Sequence, residues 1–432
     1  MTPAARIDAA IALLDAVAAV PNRPADGVAN DFFRARRFIG SGDRRAVSER
    51  VWRVLRAWRR LAWWLDRAGA HASSRLLVGA SLLTEGWALS GVAQAFSGGQ
   101  YAQATLTGPE RTALAAIEGH TLDHPDMTEA VRLELPDWIA PRLAARFGSA
   151  LAVEAAALTA PAPLDLRTNL LKTTREAARA ALAAEGIEAA PTLFSLWGLR
   201  VGGRRSITVG AAFQAGLIEI QDEGSQVIAA LADARPGMRV ADLCAGAGGK
   251  TLAMAMTMDN RGYLLACDVS TRRLESAAVR LRRAGVSNVE QHVLVAGDKL
   301  AKRRAGGFDR VLVDAPCTGT GTWRRNPDAR LRLTEQDLTE LVAKQMAILD
   351  TGAKLVRAGG KLIYATCSLL PEENEAQVTA FLARHPDFTP IPPERAWNLP
   401  GPVPALGAFL ALTPARHGTD GFFAAVLRKA AS

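Results

Sequence analysis

The run Arg239-Val240-Ala241-Asp242-Leu243-Cys244-Ala245-Gly246-Ala247-Gly248-Gly249-Lys250-Thr251 limits the folds open to this chain more than any other stretch of its 432 residues. It joins an apolar strand to a glycine-rich turn and the start of a helix. After Pro236-Gly237 the same texture repeats, short apolar strands alternating with helical stretches, and that order builds a mostly parallel sheet covered on both faces. Such sheets bind ligands beyond the carboxyl ends of their strands. The glycines permit close approach to the backbone, and a helix amino terminus offers unpaired N–H groups.

Three cofactor classes use such a turn, and the spacing removes two. A phosphate-binding loop ending in Gly249-Lys250-Thr251 needs glycine where Cys244 stands. A dinucleotide fingerprint counted from Gly246 needs glycine where Thr251 stands. What remains is the methyltransferase form of the doubly wound sheet. The next strand, Tyr263 to Cys267, ends in Asp268, which can accept hydrogen bonds from two ribose hydroxyls or simply cap the following helix. The third, Val289 to Ala296, closes on Gly297-Asp298, where a carboxylate suits an adenine amino group.

Two further strands carry reactive groups. Phe308 to Val313 runs into Asp314-Ala315-Pro316-Cys317, and Gly360 to Ala365 into Thr366-Cys367-Ser368. Strands four and five are neighbours in this fold, so two thiols and one carboxylate converge beside the cofactor. Methylating C5 of cytosine needs such a set, because C5 becomes nucleophilic only once a thiolate has added at C6. Asp314 can stabilise charge developing on the ring, and the second cysteine can promote release. Cys267 reads as a small buried hydrophobe and Cys244 as lining of the turn. The four cysteines are too dispersed for a disulfide framework and lack the C-x-x-C pairs of a zinc site, so no metal is expected.

The first quarter of the chain is helical in pattern. Ile7, Ile11, Leu14 and Val17 recur at three to four residues, as do Val47, Val51, Leu55, Trp58, Leu61 and Leu65. Ser41-Gly42-Asp43 reads as the cap of a helix bearing Arg44, Arg45, Arg50, Arg53, Arg56, Arg59 and Arg60, either a surface for phosphates or a solvated face. Breaks fall at Ser97 to Pro109 and at Pro161-Ala162-Pro163. Leu166 to Leu170, Arg175 to Ala184 and Leu196 to Val201 then make a strand, helix and strand. The division expected is 1–125 helical, 126–225 linker helices and a small α+β subdomain, and 226–432 the α/β sheet domain. A net charge of +9 fits a polyanionic partner or a merely basic soluble protein. No stretch approaches the roughly 20 apolar residues of a membrane helix, and no signal-like block opens the chain, so a cytoplasmic protein is expected.

The motifs D-L-C-A-G-A-G-G-K-T, D-A-P-C-T-G-T-G-T-W-R-R-N-P-D, Y-A-T-C-S-L-L-P-E-E-N-E and D-G-F-F-A-A-V-L strongly resemble the Sun/RsmB-like family of RNA (cytosine-C5) methyltransferases. Upstream, L-R-T-N at 166–169 and Q-D-E-G-S-Q at 221–226 look like the family's small subdomain. G-D-R-R-A-V-S-E-R-V-W-R-V-L-R is similar to the NusB-like RNA-binding domain of its bacterial 16S ribosomal RNA members. The resemblance implies a class I Rossmann-like domain with a mostly parallel seven-stranded sheet and S-adenosylmethionine as cofactor. It implies Cys367 as nucleophile and Cys317 as the group that assists release. Cys244, Ala245, Gly246, Ala247, Gly248, Gly249, Lys250, Asp268, Arg273, Asp298 and Asp314 would contact the cofactor or the target base. Ala247 stands where the family has proline, which loosens one turn and leaves catalysis intact. The implied partner is RNA, most naturally ribosomal and with an unstacked target base, met by a monomer. Arg272, Arg324, Arg325 and the Lys299 to Arg304 cluster add positive charge suited to phosphates. A tRNA methyltransferase, a DNA cytosine methyltransferase and a non-catalytic RNA-binding assembly factor are the other readings. Thr366-Cys367-Ser368 speaks against the DNA enzyme, and the intact thiols against the binding factor.

Overall fold

A computed structural model describes residues 1–203, 206–403 and 407–431. The chain forms two compact units, Met1–Pro161 with Trp323–Leu333, and Ala162–Thr322 with Thr334–Ser432. No helix among the described residues is long and apolar enough to cross a membrane.

The first unit is helical, with Pro3–Ala18, Ser41–Arg56, Trp58–Arg67 and Ser74–Thr84 around one core. The three-to-four spacing finds its purpose there. Ile7, Ile11, Leu14, Val47, Val51, Leu55, Leu61 and Leu65 are buried together, with Val17 and Trp58 at the margin. Ser41 is the first helical residue, not the cap: Gly40 holds that position, and Asp43 accepts the Arg6 guanidinium at 2.7 Å.

The arginine face is largely consumed inside this unit. Arg50 and Arg53 pair with Glu85, Arg59 with Asp137, and Arg60 with Asp123 and Glu134. Buried Glu134 accepts the N–H groups of Arg59 and Arg60 and thereby caps a helix that lacks a local cap. Trp323–Leu333 belongs here too. Asp328 accepts the Ala25 N–H at 3.0 Å, and Arg330 donates to the Glu134 carbonyl at 3.2 Å. Arg324, expected to meet phosphates, is buried, which removes it from any such surface.

The second unit contains both sheets. The strands are β1 (Leu164–Thr168), β2 (Ala189–Pro191), β3 (Gly198–Val201), β4 (Ile218–Ile220), β5 (Arg239–Asp242), β6 (Tyr263–Asp268), β7 (Val289–Val293), β8 (Phe308–Asp314), β9 (Val356–Thr366), β10 (Phe388–Ile391), β11 (Leu410–Leu412) and β12 (Phe422–Lys429). The large sheet runs β10-β12-β9-β8-β5-β6-β7, with β11 added on β12. β5 to β9 pair in parallel, while β12 lies antiparallel between β9 and β10. Seven strands thus make the continuous path and β11 is an eighth. Val311, Leu312 and Val313 are all fully buried, as expected of a strand covered on both faces. Strand order reverses at β5, between β8 and β6, the crevice where such sheets bind ligands.

The small antiparallel sheet, β2-β3-β1-β4, packs in this same unit. Asn169 donates to the Ala284 carbonyl and Lys172 to that of Arg283, both at the end of the helix Thr271–Ala284. Several boundaries move: β1 runs Leu164–Thr168 where Leu166 to Leu170 was expected, β3 starts at Gly198, after Leu196, β7 stops at Val293, short of Ala296, and β9 starts at Val356, before Gly360.

Candidate active site

The turn after β5 is a tight reversal. The Gly248 N–H donates to the Ala245 carbonyl at 2.8 Å, and Gly246 and Gly248 have φ of +54° and +82°, where a side chain is strained. Gly248 then caps the helix Gly249–Thr257. Two arginines occupy carbonyls of the turn, Arg280 that of Ala247 at 2.5 Å and Arg167 that of Gly249 at 2.7 Å. Asp268 accepts the Gly246 N–H at 2.9 Å and the Ser270 N–H at 2.8 Å, which fixes its carboxylate at the end of β6. Asp298 is bonded by His292 at 2.7 Å and by the Leu300 N–H, and these hold its carboxyl below the usual range, His292 first.

A pocket of about 760 Å³ opens over this turn. Cys244, Ala245, Gly246, Ala247, Gly249, Lys250, Asp268, Arg273, Asp298 and Asp314 all line it, whereas Gly248 shapes the turn without lining the wall. The chemistry of the wall fits S-adenosylmethionine: carboxylates at Asp268 and Asp298 for ribose and adenine, apolar Leu294, Val295 and Ile348 beside a flat base, and Asp314 opposite a cation. Ala247 sits in the second central position of the Ala245–Gly248 turn without positive φ. Ala247→Pro is therefore expected to fit and to tighten cofactor binding by up to about fivefold in calorimetry, because the turn of the free folded protein is already ordered before the cofactor arrives. Weaker binding would mean that the turn adapts to alanine.

Asp242, at the end of β5, is buried, accepts the Thr251 hydroxyl at 2.7 Å, and has its carboxyl pushed up to about 7 by burial. An acid that holds its proton more tightly folded than unfolded loses stability as pH rises, here from the unfolded value near 4 to about 7. Asp242→Asn is expected to melt higher relative to wild type at pH 8 than at pH 5. A pH-independent difference would show that Asp242 is ionised throughout.

β8 and β9 pair with Asp314 opposite Ala365, so both reactive loops leave the sheet side by side. The Ala315 N–H donates to Ala365 at 2.8 Å and the Gly321 N–H to the Cys367 carbonyl at 2.9 Å. The two sulfurs, Cys317 Sγ and Cys367 Sγ, stand 3.4 Å apart. The Cys317 thiol is pushed far above its ordinary value, first by its hydrogen bond to Cys367 and next by burial. It therefore holds its proton more tightly than an ordinary thiol, in a hydrogen bond that either sulfur can donate. Asp314 forms an ion pair with Lys250 at 2.6 Å. Burial opposes the Lys250 charge, but Asp314 outweighs it, with Cys367 and Asp242 assisting, and the lysine pKa is raised.

The closing motif locks these loops. A Cβ on Gly321 would lie 2.2 Å from the Gly421 carbonyl oxygen, and the Gly421 N–H donates to Gly321 at 2.8 Å, so only glycine permits this approach. The sequence reading brings Cys317, Cys367 and Asp314 together as the structure does. It missed that Lys250 pairs with Asp314, that Arg167 props the turn, and that Glu373 and Asn374 bind the cysteine loops. An arginine in the middle of an apolar strand was the available signal for Arg167.

Comparison with known proteins agrees with this geometry. Residues 229–428 match the family model for 16S rRNA methyltransferase RsmB/F, and residues 135–208 the ferredoxin-like domain of RsmF/B-like methyltransferases. A probable ribosomal RNA small subunit methyltransferase B of Synechocystis is 35% identical over 316 residues, 72% of this chain and 70% of that one. The Thermus thermophilus ribosomal RNA small subunit methyltransferase B is 36% identical over 304 residues, 70% of this chain and 67% of its own. Among solved structures, that of PH0851 superposes with a TM-score of 0.80 at 25% identity over 99% of both chains. A methyltransferase homologue from Pyrococcus horikoshii reaches 0.62 at 31% identity, covering 71% of this chain and all of that one. The chain belongs to the RsmB/F family of 16S rRNA methyltransferases, enzymes that depend on S-adenosylmethionine.

Proposed function

We propose that this methyltransferase forms 5-methylcytosine in 16S ribosomal RNA through a covalent bond between Cys367 and C6 of the target cytosine. The observation that carries the reading is the pair of sulfurs 3.4 Å apart at the ends of β8 and β9, beside the Lys250–Asp314 ion pair. Bound in the pocket, S-adenosylmethionine supplies an electrophilic methyl group on sulfur. Asp268, Asp298, Arg273, Cys244, Ala245, Gly246, Ala247, Gly249 and Lys250 would hold it, with Gly248 shaping the turn beneath.

The chain's own groups do the rest. Cys367 adds as a thiolate to C6, and the electrons of the C5=C6 bond move to C5, which takes up the methyl group as its bond to the donor sulfur breaks and the neutral thioether leaves. Lys250 and Asp314 lie where they offset charge developing on the ring. A base then removes the C5 proton, the electron pair rebuilds C5=C6, and Cys367 leaves as a thiolate. Cys317 promotes this release. An unstacked cytosine is the required substrate, because its ring must lie between sulfur and methyl donor.

The helical segment 1–125, within the first unit, acts as the RNA-presenting module. Arg34, Arg37 and Arg44 with Asn30 and Phe33 form its basic hollow, while the ion-paired arginines of Ser41–Arg56 hold the unit together. The enzyme works as a cytoplasmic monomer. The test is to treat unmodified 16S rRNA with enzyme and labelled S-adenosylmethionine and to digest it to nucleosides. Labelled 5-methylcytidine is expected. Label on a ribose, on an exocyclic nitrogen, or in transfer RNA alone overturns the proposal.

A further inference from the structure

We propose that Glu373 and Asn374, neighbours in the chain, form a two-headed clamp that sets the separation of the reacting thiols, which makes both positioning residues. The inference rests on the cysteine roles given above. Both side chains are fully buried. Glu373 serves the Cys317 loop: its carboxylate accepts the Thr318 N–H at 2.8 Å and the Thr318 hydroxyl at 2.5 Å. Gln345, from the helix Glu335–Leu355, donates at 2.9 Å to Glu373 and at 2.9 Å to the Pro316 carbonyl. The residues on either side of Cys317 are thereby held to one carboxylate.

Asn374 serves the Cys367 loop in the same way. Its oxygen accepts the Thr366 hydroxyl at 2.6 Å and its nitrogen donates to the Ser368 carbonyl at 2.9 Å, again one residue on each side of the cysteine. Adjacent α-carbons are fixed about 3.8 Å apart, so the two heads cannot drift independently. Tyr364 donates to the Glu373 carbonyl at 2.6 Å and anchors the clamp to β9. The Thr318 and Thr320 hydroxyls, each 3.2 Å from the Ser368 hydroxyl, stitch the two loops directly. Burying a carboxylate against neutral donors is costly unless each donor is well placed, and a hydrophobic residue would fill the space without that cost. What the polar pair adds is the placement of sulfur, on which rate depends steeply.

The test compares Glu373→Gln and Asn374→Asp with wild type, Cys317→Ala and Cys367→Ala. Glu373→Gln loosens the Cys317 side, so release is expected to slow about 10- to 100-fold and RNA-linked protein to accumulate, with KM for RNA unchanged. Asn374→Asp loosens the Cys367 side, so formation of the linked species slows by a similar factor. A second readout needs no RNA. Diamide, an azo oxidant that accepts two protons and two electrons from the thiols, closes a Cys317–Cys367 disulfide, and both variants are expected to close it about tenfold more slowly. Thr318→Val removes one hydroxyl only and stands in should Glu373→Gln fail to fold. An unchanged disulfide rate in folded variants overturns the clamp. Failure of Cys317→Ala to retain RNA overturns the cysteine roles instead, and the disulfide arm still decides on the clamp.

Discussion

Alanine at Cys367 is expected to lower kcat by at least about 10⁴-fold and to leave no RNA attached to the protein on a denaturing gel. Alanine at Cys317 is expected to behave differently. The first methyl transfer proceeds, turnover then stalls, and a covalent protein–RNA complex accumulates. The asymmetry follows from the protonation of the pair. The Cys317 proton is held more tightly than usual by its hydrogen bond with the Cys367 sulfur and by burial, which makes it the poorer nucleophile, while Cys367 contributes to the charge holding Lys250 protonated. Removing Cys317 deletes an aid to elimination but spares the attacking atom. If Cys317→Ala gives no linked RNA and Cys367→Ala does, the roles are exchanged.

Asp314→Asn should reduce kcat by about 10²- to 10³-fold, the usual effect of removing a group placed where charge develops. It also strips a buried lysine of its counter-charge, which is destabilising. Stability and chemistry are separated by Asp314→Asn/Lys250→Met, which removes both charges. That double variant should recover the melting temperature of wild type and remain slow. Lys250→Met alone should lose nearly as much activity as the double variant, because two groups acting as a unit are not additive. Simple multiplication of the single effects would show that Lys250 serves the cofactor turn alone, as its place in the glycine-rich motif first implied.

The large sheet was legible because most of its strands contain apolar runs, and β5, β6 and β8 end in an acid. The residues of strongest chemical character, Cys317, Cys367, Asp268, Asp298 and Asp314, were legible because each stands just past such a run. Helical spacing in the first unit was likewise a local signal, and its core follows it from Ile7 to Leu65. Partnership was not legible. The arginines of Ser41–Arg56 looked like a free basic face because Glu85, which neutralises two of them, lies some thirty residues on. Glu134 bonds arginines more than seventy residues away, and Arg167 reaches Gly249 across eighty-two positions. Glu373 and Asn374 were visible as letters of a motif, but only the fold puts their side chains between two loops separated by fifty residues.

The position of β12 has a consequence for the chain as it is synthesised. This strand fills the gap between β9 and β10, and Gly421 just before it seats the Gly321 loop. During synthesis Cys367 emerges some fifty residues ahead of that glycine. At roughly 5–20 residues per second the nascent chain carries both thiols for about 3–10 s before the loop between them can be fixed. Over that interval the edge of β9 stands open, joined by that of β10 once Ile391 has been made, and the sheet is exposed to mispairing. Seating of the Gly321 loop therefore waits for Gly421 and β12, and a nascent chain stalled before Gly421 would hold both thiols without that contact.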